Sequence, residues 1–326
     1  HATALAHLIG GSLSLTKLDI RQVGLRDEDI QMLGETLVRT KRSMLGLLRC
    51  DAFDLGEVSI KELHLCGKAI GSRIAPLIGG VARINLNLIH IDLQSNQLGD
   101  NGAAWLAHGL VGSAVERLNM SHNFIRAEGM SAVASALKGN VSLTYLDLSS
   151  NEICGIAPDG SGKHSCAGLK ALSDNIEHTA LRTLNLSSNA LSSAGAKALV
   201  PVVRNGKALR DLMLVDNNLT FFGLEPLSLL ELVSQARHSD SLKMLELGSN
   251  HISGVTFRKI NPRMVTSPFD HNLLEVSADR CRCHHCMSID AAAKAKGIAT
   301  EPASGPVGSL LDRCVWKPSG WHPRNA

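Results

Sequence analysis

A chain of 326 residues with 44% apolar but only 3% aromatic residues must build an aliphatic core, as one or two domains or one elongated array. Its net charge of +3 is too small to point to nucleic acid, and no apolar stretch approaches the roughly 18–20 residues of a membrane-spanning helix. Eight cysteines are too few for a disulfide scaffold. A reducing compartment, the cytoplasm, is therefore expected. An organellar matrix stays open because the chain starts at His1 with no methionine and no signal-peptide pattern.

In chain order, the predicted elements repeat. Loose copies of one pattern begin at Leu15, Leu45 and Ile60. Close copies follow as "LIHIDLQSNQL" (88–98), "VERLNMSHNFI" (115–125), "LTYLDLSSNEI" (143–153), "LRTLNLSSNAL" (181–191), "LRDLMLVDNNL" (209–219) and "LKMLELGSNHI" (242–252). Most starts are 27–30 residues apart. The step from 143 to 181 carries an insertion of about ten residues, and the step from 45 to 60 is too short for a helix. Within a copy, Leu146 and Leu148 alternate with Tyr145 and Asp147, which predicts a short strand with its leucines inward. An asparagine (96, 123, 151, 189, 217, 250) then turns the chain. A glycine follows in several copies (102, 129, 195, 223), and apolar residues at helical spacing come after it, as in Leu106/Leu110 and Val133/Leu137. One repeat is a strand, a turn and a helix. It buries its apolar face only by stacking on neighbours. Nine starts predict one parallel sheet of about nine strands.

The pattern L-x-x-L-x-L-x-x-N-x-L resembles the ribonuclease-inhibitor class of leucine-rich repeat over roughly residues 13–253. Val23, Phe53 and Lys68 stand where the first three copies lack the asparagine. The resemblance implies an α/β horseshoe, a solenoid with a concave parallel sheet and convex helices. The expected division is a solenoid over 1–253 and an irregular, basic C-terminal extension over 254–326. That extension carries ten Lys/Arg against six Asp/Glu.

Outward strand positions define the face available to a partner. They are mixed in charge early (Lys17, Asp19, Arg21, Arg49, Asp51, Glu62, His64, His90, Asp92, Arg117, His122). Later they turn acidic (Asp147, Asp211, Asp216, Glu246), with Arg182, Arg210 and Lys243 as a basic rim. Tyr145 is the one aromatic on this floor. His64, His90 and His122 come from successive copies but hold different motif positions, so their convergence is not required. The insertion "CGIAPDGSGKHSC" (154–166) imitates a phosphate loop, yet Ala157 and His164 break the G-x-x-x-x-G-K-[ST] pattern. It is expected to leave the solenoid surface as a dispensable loop. Cys154 and Cys166 flank it, either bridged or as free thiols.

"RCRCHHCM" (280–287) puts three cysteines and two histidines within six positions. Cys283 and Cys286 form C-x-x-C, half of a structural zinc site. Cys281 and the more distant Cys314 are the expected completion, with His284, His285 and His322 as further donors. No other cofactor is expected. Trp316 and Trp321 in the tail, with Tyr145, Asp147, Asp211 and Glu246 on the floor, are the candidate partner-binding residues. The tail with the last repeats is expected to carry more of the binding than the floor. The expected role is a non-catalytic protein–protein scaffold, a subunit of a larger assembly with protein partners and no membrane insertion. Two alternatives remain. One is a GTPase-activating regulator of the Ran type, for which Arg21 or Arg49 would have to supply the catalytic arginine and whose acidic tail is absent here. The other is the sensor portion of an innate-immune receptor.

Overall fold

The computed structural model describes residues 2–12, 15–40, 47–50, 54–55, 60–157, 160–260 and 274–298. Each close copy of the motif forms a three-residue strand with its central leucine or isoleucine buried and its flanking residues at the surface. β-Strands β4 (Glu62–His64), β5 (His90–Asp92), β6 (Arg117–Asn119), β7 (Tyr145–Asp147), β8 (Thr183–Asn185), β9 (Asp211–Met213), β10 (Met244–Glu246) and β11 (Glu275–Ser277) lie side by side in one parallel sheet. The register is equivalent throughout, so Leu118, Leu146, Leu184, Leu212 and Leu245 stack in a row. All five are at most 1% exposed.

The predicted single sheet of nine strands is corrected. β1 (Lys17–Asp19) and β2 (Leu47–Arg49) form a separate three-stranded sheet with β3 (Asp54–Leu55), which runs antiparallel to β2. Among the described residues between the second and third copies, β3 follows β2 and pairs with it antiparallel, so the chain doubles back there. The large sheet gains β11 from beyond the last motif copy. Strand and helix thus continue past Ser253: α9 (Gly254–Ile260), β11 and α10 (His284–Ala295) stand, in the described residues, where an irregular segment was expected.

Helices cover the convex side: α2 (Asp27–Arg39), α3 (Gly71–Ile84), α4 (Gly99–Leu110), α5 (Ala127–Leu137), α6 (Ala167–Asn175), α7 (Ser192–Asn205) and α8 (Leu227–Arg237), each packed on the next. α1 (Ala2–Gly11) packs on α2 at the N-terminal end. The α3–α4 approach is so close that a Cβ on Gly109 would sit 2.2 Å from the Gly79 carbonyl oxygen, so no side chain fits there.

The motif asparagines hold the turns together. Asn123 Oδ1 accepts the backbone N–H groups of Asn96 (3.0 Å) and Leu98 (3.3 Å), and its Nδ2 donates to the carbonyls of Leu93 (2.8 Å) and Ser121 (2.9 Å). Asn123 N in turn donates to Asn151 Oδ1, and the same relay joins Asn189 to Asn217 and Asn217 to Asn250. All six asparagines are buried. The relay lets adjacent turns enter the interior without orphaned backbone groups.

Candidate interaction surface

The concave floor places Tyr145, Asp147, Asp211 and Glu246 as expected, half-exposed on β7, β9 and β10. The Arg117 guanidinium lies 4.3 Å from the centroid of the Tyr145 ring. Burial raises the Tyr145 hydroxyl pKa and the Asp147 charge adds to the effect. Asp147 accepts hydrogen bonds from Asn185 Nδ2 (3.0 Å) and Ser149 N (2.8 Å), and Asp211 accepts one from Thr183 Oγ1 (2.9 Å). These bonds fix both carboxylates on the floor.

His64 and His90 do meet: their rings are 5.4 Å apart, edge to face, with Glu62 beside them. Neighbouring parallel strands set Glu62 opposite His90, which brings the next outward residue, His64, diagonally near. His122 is not part of this group and lines a groove further along. Arg21 is held by Asp19 at 2.7 Å, and that bond, the largest cause, pulls the Asp19 carboxyl down to about 2.

Sequence reasoning missed the groove. It has a volume of about 780 Å³ and runs along the rim where the asparagine turns emerge. Its wall is the pair of residues flanking successive asparagines: His122 and Phe124, Ser150 and Glu152, Ser188 and Ala190, Asp216 and Asn218. Most of these adopt left-handed backbone conformations, among them Phe124 (φ 55°) and Asp216 (φ 58°), which turns their side chains out of the repeat. Phe221 and Phe222 close one end, and Phe124 is 56% exposed although aromatic. Burial raises the Asp216 pKa against the lowering effect of the Ser188 hydroxyl bond (3.1 Å). The signal that could have found this site was the row of positions beside each asparagine.

The 154–166 insertion forms the opposite lip. Ile156 and Gly162 pair as an antiparallel bridge, and His164 Nε2 contacts Leu191 O and Ser192 Oγ, both at 3.1 Å. Cys154 and Cys166 are free thiols at its neck, with one ring nitrogen of His164 within 4.8 Å of both sulfurs. The Cys154 hydrogen bond pulls Cys166 down to about 6, helped by His164. The same bond and burial push Cys154 up.

Of the tail residues, Cys281, Cys283 and Cys286 lie together at the N-terminus of α10 beside His251. Cys314, Trp316 and Trp321 lie outside the described residues.

A family model described as "Leucine Rich repeat" matches residues 85–107, 115–134, 139–153 and 177–200, the stretches that carry the asparagine relay. The chain is a leucine-rich-repeat protein. The ribonuclease-inhibitor-like class is consistent with that model. Among relatives, this leucine-rich-repeat chain is 29% identical over 182 residues to human "NACHT, LRR and PYD domains-containing protein 13", covering 55% of this chain and 16% of that protein. It is 23% identical over 262 residues to "Rho GTPase-activating protein gacW" of Dictyostelium discoideum, covering 78% of this chain and 22% of that protein. The chain thus spans about a quarter or less of the length of these curated relatives. A solved Caenorhabditis elegans tropomodulin C-terminal domain aligns with a TM-score of 0.33 at 12% identity, covering 64% of this chain and 92% of that one. Among the described residues, no helix is long and apolar enough to cross a membrane.

Proposed function

We propose that this leucine-rich-repeat protein is a non-catalytic protein-binding scaffold, and that the partner segment lies along the rim groove with charged side chains reaching down to the acidic floor. The observation that carries this reading is the aromatic groove (Phe124, Phe221, Phe222) with Asp216 in its lining, on the same run of repeats whose strands carry the fixed carboxylates Asp147 and Asp211. An exposed aromatic wall offers burial to an apolar anchor, and fixed carboxylates select Lys or Arg beside it. The fitting occupant is a peptide segment with basic residues flanking an apolar one. The cytoplasmic location expected from cysteine usage belongs to this proposal.

A peptide array of random basic–apolar 12-mers tests it. Wild type should retain a subset of sequences enriched in Lys or Arg beside an aliphatic or aromatic residue. Phe222→Ala and the Asp147→Asn/Asp211→Asn double variant should each lose that subset by tenfold or more. Equal retention by wild type and both variants would contradict the reading.

The similarity to a NACHT- and LRR-containing protein favours a second reading, the ligand-sensing region of an innate-immune receptor. It uses the same groove but requires that occupancy change the contacts of a neighbouring nucleotide-binding region. A full-length protein whose nucleotide exchange ignores groove peptides would remove it.

A further inference from the structure

The stretch 281–286 meets the last asparagine turn of the array. β11 brings the chain back along β10, and Cys281 N then donates to Ile252 O at 2.8 Å. This seats the cysteines against His251, which follows Asn250 at a left-handed position (φ 54°). His251 Nδ1 is 3.6 Å from Cys281 Sγ. A donor atom from each of His251, Cys281 and Cys283 lies within 4.8 Å of the other two. Cys286 is fully buried beside these three but outside their group, its thiol donating to His251 O at 3.1 Å. Gly223, at φ +84°, leaves the room this thiol needs: a Cβ there would stand 3.0 Å from Cys286 Sγ.

A backbone N–H also points into the cluster: Cys283 N donates to Cys281 Sγ at 3.4 Å. Zinc bonds of about 2.3 Å to sulfur and about 2.0–2.1 Å to nitrogen, at a tetrahedral angle, give a nitrogen–sulfur edge of about 3.6 Å. The His251–Cys281 separation has that length.

We propose that His251, Cys281, Cys283 and Cys286 bind a thiophilic divalent cation of the zinc type, which ties α10 to the last turn of the solenoid. His251 takes the place that the sequence offered to Cys314. Cys286 turns its thiol from the His251 carbonyl onto the ion. On binding, three thiol protons leave to solvent and the sulfurs coordinate as thiolates, so no oxidant or reductant is involved. The site is structural because four protein ligands leave no position for a substrate.

The test uses the full chain, reduced, stripped with chelator and reloaded with zinc alone, with bound zinc measured by mass spectrometry of the metal. Wild type should hold at least one equivalent. His251→Ala and Cys281→Ser/Cys283→Ser should each hold one equivalent less than wild type, while Cys314→Ser should match wild type. Cobalt titrated into the stripped wild-type chain should give the visible bands of a tetrahedral, thiolate-rich site, a readout that stands if a variant fails to fold. Wild type holding no zinc, octahedral cobalt bands, zinc retained in folded His251→Ala, or zinc lost in folded Cys314→Ser would each overturn the assignment.

Discussion

Asn217 shows how much one residue of the repeat supports. Its Oδ1 accepts Asn189 N (2.9 Å) and Leu191 N (3.4 Å), and its Nδ2 donates to Leu186 O (2.9 Å) and Val215 O (3.3 Å). Asn217→Ala strands the buried N–H groups of Asn189 and Leu191, each at a cost of about 1–3 kcal/mol before relaxation, while Leu186 O and Val215 O keep bonds from Asn189 Nδ2 and Ser188 N. A loss of about 3 kcal/mol or more is expected in chemical denaturation, and an unchanged midpoint would contradict the relay. Leu148, fully buried behind β7, should cost about 2–5 kcal/mol as Leu148→Ala by the same measurement. Both residues were legible from sequence because the repeat shows each role six times. Cys166 was not, since its low pKa depends on Cys154, twelve residues away across a loop neck. Its thiol should alkylate at lower pH in wild type than in Cys154→Ala, which removes the bond that lowers it. An unchanged pH profile in that variant would argue against the role of Cys154.

Among elements, the strands of the six close copies were readable from the motif, β3 and β11 were not, and the insertion was read only as to its place. Gly, Ser and Pro composition predicts a loop that contributes little to the core, and the hydrogen-bonded bridge between Ile156 and Gly162 agrees with that. The expectation that it leaves the solenoid surface is corrected. Contacts from His164 to Leu191 and Ser192 fold the loop onto the rim, where Ile156, Ala157 and His164 become part of the groove. Replacing 155–164 with the shorter connection of the next repeat should therefore keep the thermal midpoint within a few degrees. The same replacement should weaken groove peptides severalfold. Loss of the cooperative melt would show the loop to be packed structure, and unchanged peptide affinity would remove it from the groove. In the tail, α10 begins at His284, inside the cysteine cluster, because Cys283 opens it in an extended conformation (φ −67°, ψ 159°).

For the whole molecule, the horseshoe followed from periodicity, but its two ends did not. At the N-terminal end, where the motif asparagine is missing from the sequence, β1 and β2 pair in a separate three-stranded piece with β3. At the C-terminal end Asp290 of α10 accepts Gly254 N (2.9 Å) and Val255 N (3.1 Å) at the start of α9, and Asp279 accepts Ser249 N at 2.7 Å. These long-range bonds carry the fold past the last leucine motif, where no sequence period announces it. Between the ends, the rim groove arises from residues whose identity varies freely beside each fixed asparagine, so only their stacking reveals it. The central claim is that this groove, and not the helical back, receives a protein segment. Hydrogen exchange followed by mass spectrometry, with and without a saturating 12-mer selected on the array, tests it directly. The account predicts added protection in the turns at 122–124, 188–190 and 216–222, with α4, α5 and α7 unchanged. Protection confined to those convex helices, with the turns exchanging as before, would contradict it.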